Sequence, residues 1–180
     1  MAETNATKVV TTKVRFSYVH AFEPHAHEEG QTAKYSVCIL IPKKDKKLID
    51  RIKAAIEAAK EEGKTKKFGG KIPTTLKNPL RDGDEERPDH EECAGHFFIN
   101  ANANRKPGIV DAATNPIIDR EEFYSGCYGR ASVNFYAFNT SGNKGIACGL
   151  NNLQKLEDGE RLSGSGASAE EDFGADDDLN

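Results

Sequence analysis

Between Tyr128 and Phe138 the chain alternates without a break, with Ala131, Val133, Phe135 and Ala137 on one side and Tyr128, Arg130, Ser132, Asn134, Tyr136 and Phe138 on the other. A period of two puts successive side chains on opposite faces of an extended backbone, so this stretch reads as a β-strand with one buried face. The NTSGN that follows has the composition of a tight hairpin turn, and Lys144 to Leu150 supplies a last strand to pair back. Similar alternation recurs upstream. Val9 to Val19 sets Val10, Val14, Phe16 and Tyr18 against Lys13, Arg15 and Ser17. Tyr35 to Ile41 sets Tyr35, Val37, Ile39 and Ile41 against Lys34, Ser36 and Cys38, and Pro42 closes it. His96 to Ala103 sets Phe97, Ile99, Ala101 and Ala103 against His96, Phe98, Asn100 and Asn102. The polar EPHAHEEGQ, with Pro24 and Gly30, reads as the loop joining the first two strands.

One segment has the helical period. From Lys44 to Glu62 the residues Leu48, Ile52, Ala55, Ile56 and Ala59 recur at spacings of three and four, with Gly63 as the expected stop. Residues 64–95 hold Pro73, Pro79, Pro88 and the turn-like RDGD without a sustained period; long irregular segments in compact domains are usually functional or mobile. Five strands and one amphipathic helix define a mainly β, α+β chain. The inventory is that of a five-stranded OB-fold-like barrel, in which the helix usually comes later than here.

The 180 residues suit one globular domain. No apolar run approaches the ~18–20 residues of a membrane helix, and MAETNATKVV lacks the apolar stretch of a signal peptide. The cysteines Cys38, Cys93, Cys127 and Cys148 form no CxxC pair, so reduced thiols in a cytoplasm are expected. The formal charge of -4 hides an asymmetry: residues 163–180 carry six carboxylates and no base, while 1–162 hold 25 bases and 23 acids. A domain over 1–162 and an acidic tail over 163–180 follow. The tail opens SGSGASA and carries Glu170, Glu171, Asp172, Asp176, Asp177 and Asp178 with only Phe173 and Leu179 as large apolar residues, a composition of disorder. It reads either as a solubilising tail or as a docking segment.

The outward strand face of Tyr128, Arg130, Asn134, Tyr136 and Phe138 is unusual, because solvated faces normally carry Lys, Glu and Thr. Bases stack on aromatic side chains for about 1–3 kcal/mol each, and every base has a π-face, so such a face suits sequence-tolerant binding of single strands. Phe98 and Asn100 extend it, and Lys13 and Arg15 lie outward on the first strand. Lys34, Lys66, Lys67, Lys71, Lys77, Arg105 and Lys106 are candidates for a groove that tracks phosphates. The competing reading is that the aromatics pack beneath 64–95 or against a partner subunit, and that these are ordinary solvated bases.

His90, Cys93 and His96 have metal-ligand spacing, with His25 and His27 as further donors, but no second tight pair accompanies them, so no metal and no cofactor is expected. The acids of 81–92 read as solvated turns. GxxxxGK[ST], GxSxG, HExxH and GxGxxG are absent, so no enzyme is expected.

GCYGRASVNFYAF, then NKGIACGLNNLQKLEDGERL, then a Gly/Ser linker and an acidic end together resemble the phage-encoded single-stranded-DNA-binding proteins with an OB fold. The match is strongest over Phe123 to Leu162. The N-terminal strand, the YSVCILIPK strand and the Lys-rich helix are consistent with it. The resemblance implies a non-catalytic protein of the host cytoplasm that coats single-stranded DNA in phage replication, recombination and repair. It also implies a tail that recruits a polymerase, helicase or recombinase and competes with DNA for the basic groove. Tails of this kind often finish on an aromatic residue, whereas this one ends Asp-Leu-Asn. A homodimer is compatible with the pattern, and stacking alone does not separate DNA from RNA. The alternative from another class is an assembly protein whose aromatic face is a subunit interface.

Overall fold

The computed structural model describes residues 6–26 and 28–162. The expectation of a disordered tail over 163–180 falls outside the described residues. In chain order the elements are β1 (Lys8–Val10), β2 (Val14–His25), β3 (Lys34–Pro42), α1 (Lys46–Lys66), β4 (Arg81–Asp82), α2 (Gly83–Glu86), a 3-10 turn (Glu91–Cys93), β5 (His96–Ala103), β6 (Gly108–Val110), β7 (Tyr128–Thr140) and β8 (Asn143–Glu157).

The five long strands are the five expected, and they close into a ring in the order β2, β3, β5, β8, β7 and back to β2. Every junction is antiparallel except that of β5 with β8. This last seam is short, with Ala101 beside Cys148 and Asn102 beside Gly149. The three short strands edge the ring; β4 and β6 are absent from the sequence expectation, and β1 is the first part of the expected Val9–Val19 strand. β1 lies on β7, β6 on β8 beyond its short pairing with β5, and β4 on β5. Residues 64–95 are thus not irregular throughout: Arg81 pairs with Phe98 on β5 while Lys77 bridges Gly145 on β8.

The inward residues of β7, Ala131, Val133, Phe135 and Ala137, are all buried, together with Val37, Ile39 and Ile41 of β3 and Ile99 and Ala101 of β5. α1 adds Leu48, Ile52, Ala55, Ile56 and Ala59 to the same core, as its spacing requires. Asp45 caps the helix, its carboxylate accepting the Leu48 N–H at 3.3 Å and the Thr12 hydroxyl at 2.6 Å. Gly63 does not stop it. The residue is buried within the helix and packs against Ala137, and the chain leaves the helical path at Lys67. Lys64 and Lys66 stand in the last turn, where the helix dipole favours cations.

Two expected alternations are interrupted. Val9 to Val19 divides into β1 and β2, so Val9 is buried and Val10 is exposed. Within β2 the register with β3 slips between Ser17 and His20, where Tyr18 takes a positive φ of 47°. On β3 both faces are buried, since Ser36, Cys38 and Leu40 are covered as well as the core side. The β7–β8 hairpin forms as expected, with Ser141 (φ 51°) and Gly142 (φ 88°) making its two-residue turn. No helix among the described residues is long and apolar enough to cross a membrane.

Candidate nucleic-acid interface

The outer face of β7 stands beside small residues of β8. Tyr136 stands opposite Ala147 with its ring against Gly149, Asn134 stands opposite Gly149, and Phe138 stands opposite Gly145, over which Lys77 packs. Tyr136 is 46% exposed and Phe138 is half-buried. Partial burial, and to a lesser degree the Cys148 thiol, raises the Tyr136 hydroxyl above its ordinary range. Asn134 accepts the Thr7 hydroxyl at 3.2 Å. Arg130 is exposed but its Nε donates to the Thr11 carbonyl at 2.8 Å, which ties it to the end of β1. Lys77, exposed and bridged to Gly145, brings a cation to the Phe138 end of this face.

The other end of β7 lies eight residue steps away, from Tyr136 back to Tyr128, or about 26 Å at the usual strand rise. There Lys13 Nζ and the Arg15 guanidinium lie 5.7 and 5.4 Å from the Tyr128 ring centroid. Arg15 donates to the Gly126 carbonyl at 3.0 Å and the Glu160 carbonyl at 2.7 Å, and Lys13 pairs with Glu157 at 2.8 Å. Tyr128 therefore holds cations over its ring, a different arrangement from the open stacking ring expected for it. These three residues line a cleft of about 690 Å³ together with Pro42, Lys44, Asp45, Gly95 and His96. Lys44 and His96 had no signal as cleft residues, because only the pairing of Pro42 with His96 brings the ends of β3 and β5 together there.

Phe98 departs most from expectation. It points outward from the ring as its parity requires, yet it is 2% exposed, in a cluster with Cys38, Leu40 and Cys93 under the guanidinium of Arg87. Asn100, two residues on, is exposed. Lys34 lines a second cleft, of about 410 Å³, with His25, Gln31, Thr32 and Asn102. Lys71 and Arg105 are exposed in the loops after α1 and β5, and Lys106 lies 5.4 Å from the Phe22 ring. The fold therefore joins Tyr136, Phe138, Asn134 and Lys77 in one group and Tyr128, Lys13 and Arg15 in another. Arg87 gave no sign of its place, being one of two bases among the seven acids of 81–92.

Among the described residues no group of three or more His, Cys, Asp or Glu is placed to hold a metal ion. His90 turns to Glu92 at 3.6 Å and His96 Nδ1 lies 2.7 Å from the Ala94 carbonyl, while Cys93 is buried. All four cysteines are free and buried, and burial pushes the Cys38 thiol up to about 11.

The family model for the single-stranded-DNA-binding protein of Enterobacter phage Enc34 matches residues 7–180. A protein designated p50, from Acyrthosiphon pisum secondary endosymbiont phage 1, is 34% identical over 173 residues, which cover 92% of each chain. Among solved structures, the Enc34 single-stranded DNA-binding protein in complex with ssDNA superposes with a TM-score of 0.79 at 25% identity, over 88% of this chain and 90% of that one. The gp2.5 single-stranded DNA-binding protein of bacteriophage T7 shares the fold, with a TM-score of 0.59 at 16% identity over 93% of this chain and 99% of that one. With a family match over nearly its whole length and a ring of strands that superposes on the Enc34 protein, the chain belongs to the Enc34 family of phage single-stranded-DNA-binding proteins.

Proposed function

We propose that this chain binds single-stranded DNA without sequence preference and coats it during phage DNA replication, recombination and repair, acting without catalysis in the host cytoplasm. The observation that carries the reading is the outer face of β7, where Tyr136 is 46% exposed beside Ala147 and Gly149 and Phe138 is half-buried next to Lys77. Stacking on such rings takes any base. Phosphates would be met by Lys77 at one end and by the Lys13, Arg15 and Lys44 cleft at the other, which together suit a backbone running along the strand. Family membership and the ssDNA held by the Enc34 protein support the same assignment. In this reading residues 1–162 form the DNA-binding unit, and the acidic residues 163–180 dock replication proteins such as a polymerase, helicase or recombinase.

The test is fluorescence anisotropy of a labelled dT oligonucleotide against a duplex of equal length, with the ribo-oligonucleotide alongside. Tight binding to the single strand and much weaker binding to the duplex is expected. Absence of binding to any of them would remove the reading and leave the aromatic face as a subunit interface.

A further inference from the structure

The burial of Phe98 has a specific cause. The Arg87 guanidinium carbon lies 4.0 Å from the Phe98 ring centroid, the separation of a planar group resting on the ring, and 5.5 Å from that of Tyr18. Arg87 Nη1 also reaches Cys38 Sγ at 3.6 Å. The segment that delivers Arg87 is anchored. Lys43 Nζ binds Asp82 and Asp84, each at 2.7 Å, and the Asp84 carboxylate also accepts the Gly95 N–H at 3.0 Å. The Arg87 N–H donates to the Gly83 carbonyl at 3.0 Å, and Arg81 pairs with Glu86. Lifting this segment would leave Lys43 without its carboxylates and expose Phe98, Leu40 and two thiols. Arg87 is thus part of the built surface and not of a cover that swings away.

Arg87 is half-buried, resting on Phe98 on the side of the sheet where Asn100 is exposed. Nucleobases stack on arginine planes much as they do on aromatic rings. The seven carboxylates of residues 81–92 disfavour a phosphate at this place, so what Arg87 offers a strand is its plane and not its charge. We infer that Arg87 is a further base-stacking residue, its guanidinium laid on Phe98 and taking one nucleobase beside Asn100. This rests on the reading of the chain as a single-stranded-DNA-binding protein and adds a stacking position over β5 to those on β7.

The test titrates a labelled dT oligonucleotide with the wild-type protein, Arg87→Lys and Arg87→Ala at several salt concentrations, with thermal melts of each. Lysine keeps the charge and lacks the plane. Both variants should bind about five- to tenfold more weakly, with the slope of log affinity against log salt unchanged. Wild-type affinity in folded Arg87→Lys overturns the inference. Tighter binding also overturns it, because Arg87 would then be screening Phe98 from the strand, and a shallower salt slope overturns it in favour of a phosphate contact. Should the variants not fold, phenylglyoxal labelling of the wild-type protein with mass-spectrometric readout decides: protection of Arg87 by the oligonucleotide supports stacking, and equal labelling with and without it overturns stacking. A wild-type protein that does not bind the oligonucleotide is a different result, which removes the underlying reading.

Discussion

A Cβ placed on Gly63 would stand 2.3 Å from the Cβ of Ala137, so α1 meets the inner face of β7 at a point where only a hydrogen fits on the helix. The strand seated in this way is the one whose outer face carries Tyr136 and Phe138. Core packing and the candidate interface are therefore two sides of one strand.

Gly63→Ala should destabilise the protein. Alanine gains about 1 kcal/mol over glycine within a helix, whereas overpacking a filled core costs about 1–3 kcal/mol. A contact of 2.3 Å lies far inside van der Waals range, so the second effect wins. Urea denaturation should show a lower midpoint; a midpoint at or above that of the wild type would mean that α1 can slide off β7 at little cost.

Tyr136→Ala and Phe138→Ala should each weaken binding to a dT oligonucleotide about tenfold, within the range for loss of one stacking ring. Tyr136 is 46% exposed, so its variant should keep the wild-type circular dichroism and melting temperature. Unchanged affinity in both variants would remove the stacking account of the β7 face.

Binding should fall steeply with salt, because contacts to phosphate release counterions, with a slope of about -0.7 per contact on a single strand. Lys77→Ala and Lys44→Ala should each flatten the slope of log affinity against log salt by about that amount. A slope near zero in the wild type would be incompatible with phosphate contacts.

Stability should decline in alkali. Burial raises the Cys38 thiol from 9.0 to about 11 and raises Cys148 as well. Below about pH 9 the thiol keeps its proton whether the chain is folded or unfolded, and the stabilisation is complete. Between pH 9 and 11 the unfolded chain gives up a proton that the folded one retains, so rising pH favours unfolding. Melting temperatures measured from pH 8 to 11 should drop less in Cys38→Ala than in the wild type; parallel curves would place the thiol in a more polar setting than its burial implies.

Deleting residues 163–180 should strengthen DNA binding, since it removes six carboxylates and no base. The comparison is one of dissociation constants at equal salt, with the difference shrinking as salt rises. Weaker binding by the shortened chain would assign the tail a part in holding the strand.

Alternation over Tyr128–Phe138, Tyr35–Ile41 and His96–Ala103 determined by itself which side chains of these strands face the core, because period two is a property of the extended backbone and survives any choice of partner strand. The spacing of Leu48, Ile52, Ala55, Ile56 and Ala59 did the same for α1. What the sequence alone did not determine was what covers an outward residue. Phe98 and Tyr136 have the same parity and the same aromatic character, yet one is 2% exposed beneath Arg87 and the other 46% exposed above Ala147. That difference comes from contacts between residues far apart along the chain. The 81–93 segment, anchored through Lys43, folds over β3 and β5, whereas β8 presents Gly145, Ala147 and Gly149 beside β7. Likewise Gly63 has the composition of a stop, and only the approach of Ala137 made it a packing contact inside the helix. Local periodicity sets which face a residue occupies; closure of the ring, which no local pattern encodes, decides whether that face meets solvent.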